Sequence, residues 1–119
     1  MNNCMAESDL EELGRSVVSD FERRVAAIPK DLCAPFREEA RSLETELLFF
    51  YKAVVMCAKR TEDLSAVSSL WGVMVKTCQE SLIRLSDLKN QHPTCNAGDY
   101  YDRIADLQAK SERLRQMHA

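Results

Sequence analysis

Glycine and proline are scarce in this sequence, which has three of each in 119 residues. Collagen-like and low-complexity chains are rich in both residues, and folds made of many short strands need frequent turns. Apolar residues make up 45% of the chain and charged residues 29%, as in an ordinary globular protein. The scarcity of turn residues therefore predicts a single all-α domain.

Long stretches of like charge and long apolar stretches are also missing. The 19 acidic and 16 basic residues are interspersed, so no large positive field is available to attract nucleic acid. Apolar runs such as residues 47–51 are far shorter than the roughly 20 residues that cross a membrane. No basic region followed by an apolar segment opens the sequence. We expect a cytoplasmic protein with neither a membrane nor a nucleic acid as its partner.

Patterns that bind metals or cofactors are nearly absent. The sequence has two histidines and no E-x-x-H or H-E-x-x-H motif, which excludes the ligand sets of di-iron bundles and zincins. His92 and Cys95 have the spacing H-x-x-C, and Cys4 or Cys33 could join them around a metal. So incomplete a ligand set favours a polar loop residue and a small apolar side chain instead. We expect no metal and no cofactor.

The five cysteines show no C-x-x-C pair, and their number is odd. Both features favour reduced thiols over a disulfide framework. Cys57 and Cys78 fall on the apolar faces of predicted helices, where a thiol usually packs as a small hydrophobic group.

Apolar residues recur every three or four positions through most of the chain, which is the pattern of amphipathic helices. Ser8 followed by Glu11 predicts a capping box, and Asp31 and Asn96 are further candidate caps. The predicted helices span residues 8–28, 32–59, 62–91 and 97–117. The predicted apolar stripe of the first helix consists of Leu10, Leu13, Val17, Phe21, Val25 and Ile28.

The connection between the second and third helices is the least distinct boundary. A continuous helix over residues 32–91 would be about 90 Å long, whereas a compact domain of this size has a radius of gyration of about 13 to 14 Å. We therefore place a turn at residues 59–63, with Thr61 as a candidate cap. A heptad pattern continues across this point from Leu43 to Leu85, so a long coiled coil is the alternative.

Four amphipathic helices with short connections predict an antiparallel up-down four-helix bundle with two longer central helices. The central pair would project about 10 Å beyond the others and leave apolar surface uncovered. The run at residues 47–51 covers more than one helix face, and we expect Leu47 and Phe50 in the core and Leu48, Phe49 and Tyr51 at an interface. These features predict a non-enzymatic protein that acts through protein–protein contacts, as a homo-oligomer or an adaptor.

An alternative function follows from the last residues of the chain. Arg113 and His118 have the R-x4-H spacing, which resembles the active-site motif of HEPN-type ribonucleases, a family of small helical bundles. The resemblance implies that Arg113 and His118 are catalytic and act on RNA across a dimer. The other interpretation is a basic helix end that interacts favourably with the helix dipole.

Overall fold

The computed structural model describes residues 6–117, and over that range the chain forms four helices and no strand. The helices are α1 (Glu7–Ala26), α2 (Cys33–Arg60), α3 (Leu64–Gln91) and α4 (Gly98–Met117). The predicted all-α four-helix bundle is confirmed. The molecule is elongated, with principal extents of 50 × 26 × 16 Å, because α2 and α3 are each 28 residues long.

A short turn separates α2 from α3, so the long coiled coil was the wrong alternative. The carboxylate of Asp63 accepts hydrogen bonds from the backbone N–H groups of Ser65 at 2.9 Å and Ala66 at 3.4 Å. Asp63 is thus the cap of α3, whereas the Thr61 hydroxyl donates back to the Cys57 carbonyl in the last turn of α2. A carboxylate beside the N-terminus of α3 stabilises the start of that helix. The heptad pattern from Leu43 to Leu85 therefore does not correspond to one continuous helix.

The other helix ends differ in part from expectation. α1 begins at Glu7 with Ala6 in the cap position, and no capping box forms because Ser8 lies inside the first turn. α2 has Leu32 in the cap position and makes no side-chain cap bond, so Asp31 is not its cap. The side-chain oxygen of Asn96 does accept a backbone N–H at the start of α4, at 2.9 Å.

α1 packs against both α2 and α3 and runs parallel to α3. Gly14 lies against Thr77, and two turns further on Glu22 forms an ion pair with Arg84 at 3.3 Å. A Cβ atom at position 14 would collide with the Thr77 hydroxyl and lie 3.2 Å from its methyl carbon. Because α1 and α3 approach closely here, Gly14 faces the core. Leu13, which was expected to be buried, is partly exposed.

α4 packs on the opposite side of the central pair and runs parallel to α2. Arg103 lies 3.5 Å from Glu44, and the Lys110 ammonium lies 5.1 Å from the centroid of the Tyr51 ring. Within the described residues α1 and α4 do not pack on each other. α2 and α3 therefore form the middle of a flattened bundle, and each keeps a face that no other helix of the chain covers.

Three hydroxyl side chains are buried among the apolar ones. Thr77, Ser81 and Ser111 each donate to the carbonyl four residues earlier in their own helix, at 2.7 to 2.9 Å. A buried hydroxyl without a partner would cost stability, and these bonds remove that cost. Ser111 is fully buried and takes a place in α4 that an apolar side chain would otherwise fill.

The expectation of reduced thiols is wrong for two cysteines. Cys33 and Cys95 form a disulfide with their Cα atoms 5.0 Å apart, although 62 positions separate them in sequence. The bond joins the first residue of α2 to the loop between α3 and α4. Because helix packing creates this proximity, no sequence spacing could indicate it. Cys57 and Cys78 are buried in the core, as predicted.

Burial raises the pKa of the Cys78 thiol to about 12, so the thiol is neutral in the folded protein. Among the described helices, none has both the length and the apolar content needed to cross a membrane.

Candidate interaction surface

Apolar side chains are exposed on the side of α2 that faces away from the bundle. Leu48 is 45% exposed, Phe49 67% and Met56 52%, whereas their neighbours Leu47 and Phe50 are buried. Successive residues of a helix are rotated by about 100°, so α2 cannot bury all of residues 47–50 with one face. The inner face is satisfied by Leu47 and Phe50, and the other two large side chains contact solvent.

Phe49 lies at the centre of this exposed side. On an ideal helix Glu38, Ser42, Met56 and Arg60 lie within about 20° of Phe49 around the axis. Thr45 and Lys52 lie about 40° and 60° away, and Leu48 lies at the edge. All of these residues are exposed, and we call them together the outer α2 surface: Glu38, Ser42, Thr45, Leu48, Phe49, Lys52, Met56 and Arg60.

The charges on the outer α2 surface are separated along the helix. Glu38 lies near the N-terminal end, and Lys52 and Arg60 lie towards the C-terminal end. The Lys52 ammonium lies 5.7 Å from the centroid of the Phe49 ring, within the range of a cation–π interaction. Across residues 6–117, neither Glu38 nor Arg60 takes part in an ion pair.

Ion pairs to neighbouring helices engage the other acidic residues of α2. Arg24 of α1 lies 2.6 Å from Glu39 and 3.3 Å from Glu46, and Arg103 of α4 lies 3.5 Å from Glu44. The pKa of Arg24 is raised, first of all by its hydrogen bond to Glu39, which outweighs the effect of desolvation. These pairs mark the two borders of α2 with the rest of the bundle.

Tyr51 lies on a different side of α2 from Phe49. Its ring is half-buried, 5.4 Å from the ring of Trp71, and Lys110 lies above it. Of the three residues predicted at an interface, the structure therefore brings together Leu48 and Phe49 and places Tyr51 apart from them. Sequence reasoning missed Met56, although its position seven residues after Phe49 indicates the same helix face.

The resemblance to HEPN-type ribonucleases rests on residues that the structure describes only in part. Arg113 is exposed near the end of α4, and His118 lies outside the described residues. The neighbouring Arg115 forms an ion pair with Glu112, and the hydrogen bond that Arg115 donates lowers the pKa of the Glu112 carboxyl. The catalytic assignment of Arg113 and His118 stays a prediction.

The possible metal site at His92 and Cys95 was the second candidate in the sequence, and the environment of His92 differs from the one expected. His92 is buried instead of lying in an open loop, and its ring stacks on Phe36 with centroids 4.9 Å apart. Its Nδ1 atom is buried without a hydrogen-bond partner among the described atoms. The sulfur atoms of Cys33 and Cys95 are bonded to each other. No three His, Cys, Asp or Glu residues within 6–117 are grouped so that they could hold a metal.

Comparisons of this chain with protein-family models, with curated proteins and with solved structures give no match.

Proposed function

We propose that this protein acts by binding protein through the outer α2 surface, as a homo-oligomer or an adaptor and not as an enzyme. The observation that carries the proposal is the exposure of Leu48, Phe49 and Met56 on one uncovered helix face. Leu47, Phe50 and Val54 already fill the inner face of α2, so the core of the bundle does not need these three exposed side chains.

The composition of the outer α2 surface resembles that of protein interfaces. Such interfaces combine a central aromatic side chain with a rim of polar and charged groups, and the aromatic side chain commonly supplies much of the binding energy. Phe49 is the central aromatic here, and Ser42, Lys52 and Arg60 belong to its polar surroundings. A rigid helix with such a stripe supports binding to another helix or to a groove.

We also infer a cytoplasmic location, which rests on the sequence, where five cysteines without a C-x-x-C pair favour reduced thiols. The Cys33–Cys95 disulfide argues against this location and makes it testable. Glutathione and thioredoxin keep most cytoplasmic thiols reduced, whereas disulfides persist in oxidising compartments. In the cytoplasm the pair would be a dithiol for most of the time. Alkylation of intact cells before lysis, followed by mass spectrometry of the two peptides, measures its state, and a fully oxidised pair would contradict the cytoplasmic location.

Site-specific photo-crosslinking tests the proposed function. A photoreactive amino acid replaces Phe49 in the full chain, and in a control it replaces Ile83, which is 54% exposed on α3. The proposal predicts crosslinked protein adducts from position 49, in cells that express the chain or in purified protein. The adducts should be several times more abundant than those from position 83. Equal adducts at both positions, or none at either, would contradict it.

A further inference from the structure

We propose that the occupant of the outer α2 surface is a second copy of this chain, whose α2 packs antiparallel against the first. In this arrangement the Phe49 rings of the two copies meet at the centre. Glu38 of each copy lies beside Arg60 of the other. The proposal rests on the proposed function and identifies its partner.

The spacing of residues along α2 supports this pairing. Two antiparallel helices related by a twofold axis bring together positions that are equally far from the centre. Glu38 lies eleven residues before Phe49, and Arg60 lies eleven residues after it. Eleven residues make about three turns of an α-helix, so Glu38 and Arg60 both lie on the Phe49 face. A single twofold axis at Phe49 therefore places two opposite charges at each end of the contact.

The shapes of the side chains also complement one another about Phe49. Met56 lies seven residues after Phe49, and Ser42 lies seven residues before it. The antiparallel arrangement therefore places each long Met56 side chain opposite a small Ser42. Thr45 and Ala53, four residues on either side of the centre, are also small. Small side chains between the large ones allow two helix axes to approach to the usual 8 to 10 Å or so.

Charge favours the antiparallel over the parallel orientation. Glu38 is the one acidic residue of α2 that forms no ion pair within the described chain, and Arg60 forms none either. Parallel packing would place Glu38 next to Glu38 and Arg60 next to Arg60, and it would align the two helix dipoles. Antiparallel packing replaces both repulsions with attractions.

The size of the contact predicts a reversible dimer. The paired segments would extend over about 33 Å, from Glu38 to Arg60, with the width of one helix face, about 10 Å. Stable interfaces bury about 800 Å² on each partner, and a contact of one helix lies at or below that value. We expect the dimer to form and dissociate with protein concentration in the micromolar range or above.

Charge exchange tests the proposal. Sedimentation equilibrium is measured for the wild type, Glu38→Arg, Arg60→Glu and the double variant. Each single change should weaken dimerisation by about tenfold or more, because it replaces two attractive pairs by repulsive ones. The double variant should recover most of the affinity. Glu12→Arg, an equal charge change at an exposed position of α1, should have no effect on dimerisation.

The double variant also separates pairing from stability. Each single change is unfavourable for the dipole of α2, and the two effects add in the double variant, so recovery of affinity there must come from contact between copies. A mixture of the two single variants should form mixed dimers in preference to either homodimer, since both ion pairs are then attractive. Circular dichroism confirms that all variants are folded.

Two results would overturn the proposal. One is a monomer up to millimolar concentration, and the other is a dimer whose double variant and mixed sample show no recovery. If the chain is monomeric but position 49 crosslinks to a different protein, the second copy is refuted and the proposed function stands. If position 49 crosslinks to nothing, both are refuted.

Discussion

Cys33 and Cys95 form a disulfide between the first residue of α2 and the loop that precedes α4. The bond lies at the same end of the bundle as the stacked rings of His92 and Phe36. It therefore links the two segments of the chain that pack around the buried His92 side chain.

Reduction of this disulfide should lower the stability of the fold without abolishing it. Closing a loop of this length removes chain entropy from the unfolded state, and the chain-entropy model gives about 4 kcal/mol, with typical measured values of about 2 to 4. We expect the Cys33→Ser/Cys95→Ser variant to lose that much free energy of unfolding in urea titrations. A reducing agent should destabilise the wild type to the level of the variant and leave the variant unchanged. A variant as stable as the oxidised wild type would contradict this account.

Replacing Gly14 with alanine should destabilise the bundle by about 1 to 3 kcal/mol, the usual cost of forcing extra volume into a packed site. The added Cβ would collide with Thr77, and α1 would have to move away from α3. The Gly14→Ala/Thr77→Ala double variant should recover part of the loss, because it removes the Thr77 hydroxyl and methyl groups, the two closest atoms to the new methyl group, and keeps only the Thr77 Cβ atom.

Gly72 provides the matched control. It is also helical, but a Cβ there would meet only the Cδ atom of Arg115, at an ordinary distance of 3.8 Å. Gly72→Ala should therefore stabilise the protein by up to about 1 kcal/mol through its higher helix propensity. Thermal unfolding of the four proteins checks both directions, and equal effects at positions 14 and 72 would contradict the close packing of α1 on α3.

The contrast between these two glycines shows what the sequence predicts and what it does not. Periodicity predicts four helices and the core positions of Leu47 and Phe50, because burial of an apolar stripe follows the helix period. It does not predict that Gly14 replaces Leu13 on the inner face of α1. That choice depends on Thr77, which is distant in sequence and close only in the folded chain.

The candidate surface was predictable to a similar degree. The helix period separates Phe49 from Leu47, and it also indicates the shared face of Phe49 and Met56. The position of Tyr51 depends on Trp71 and Lys110, which belong to two other helices. Local pattern thus predicts which residues leave the core, and packing determines which of them another helix of the chain covers.

Aspartate substitutions separate the core of α2 from its outer surface. Leu47→Asp should unfold the domain, because an unpaired charge in the core costs several kcal/mol. Phe50→Asp should have the same effect. Phe49→Asp should retain the helical circular dichroism and the melting behaviour of a folded bundle but lose association.

Ile83→Asp, which introduces the same charge at an exposed position of α3, is the control for general effects on solubility. It should remain folded and keep the association of the wild type. Equal loss of helical signal in Leu47→Asp and Phe49→Asp would contradict the assignment of Phe49 to an uncovered face.

The thiol of Cys78 should make stability depend on pH in the alkaline range. Burial raises its pKa from 9.0 to about 12, so between these values the unfolded chain releases a proton that the folded chain keeps. The contribution of the neutral thiol to the free energy of unfolding is therefore fully present below about pH 9. It is lost as the pH rises towards 12, by up to about 1.4 kcal/mol per pH unit. Urea titrations at pH 8 and pH 10.5 measure the loss.

Other groups titrate in the same range, so the informative quantity is the difference between the wild type and Cys78→Ala, which should lose less stability over this interval. Equal slopes would mean that the thiol ionises as readily in the folded chain as in the unfolded one, which is incompatible with its burial between the helices.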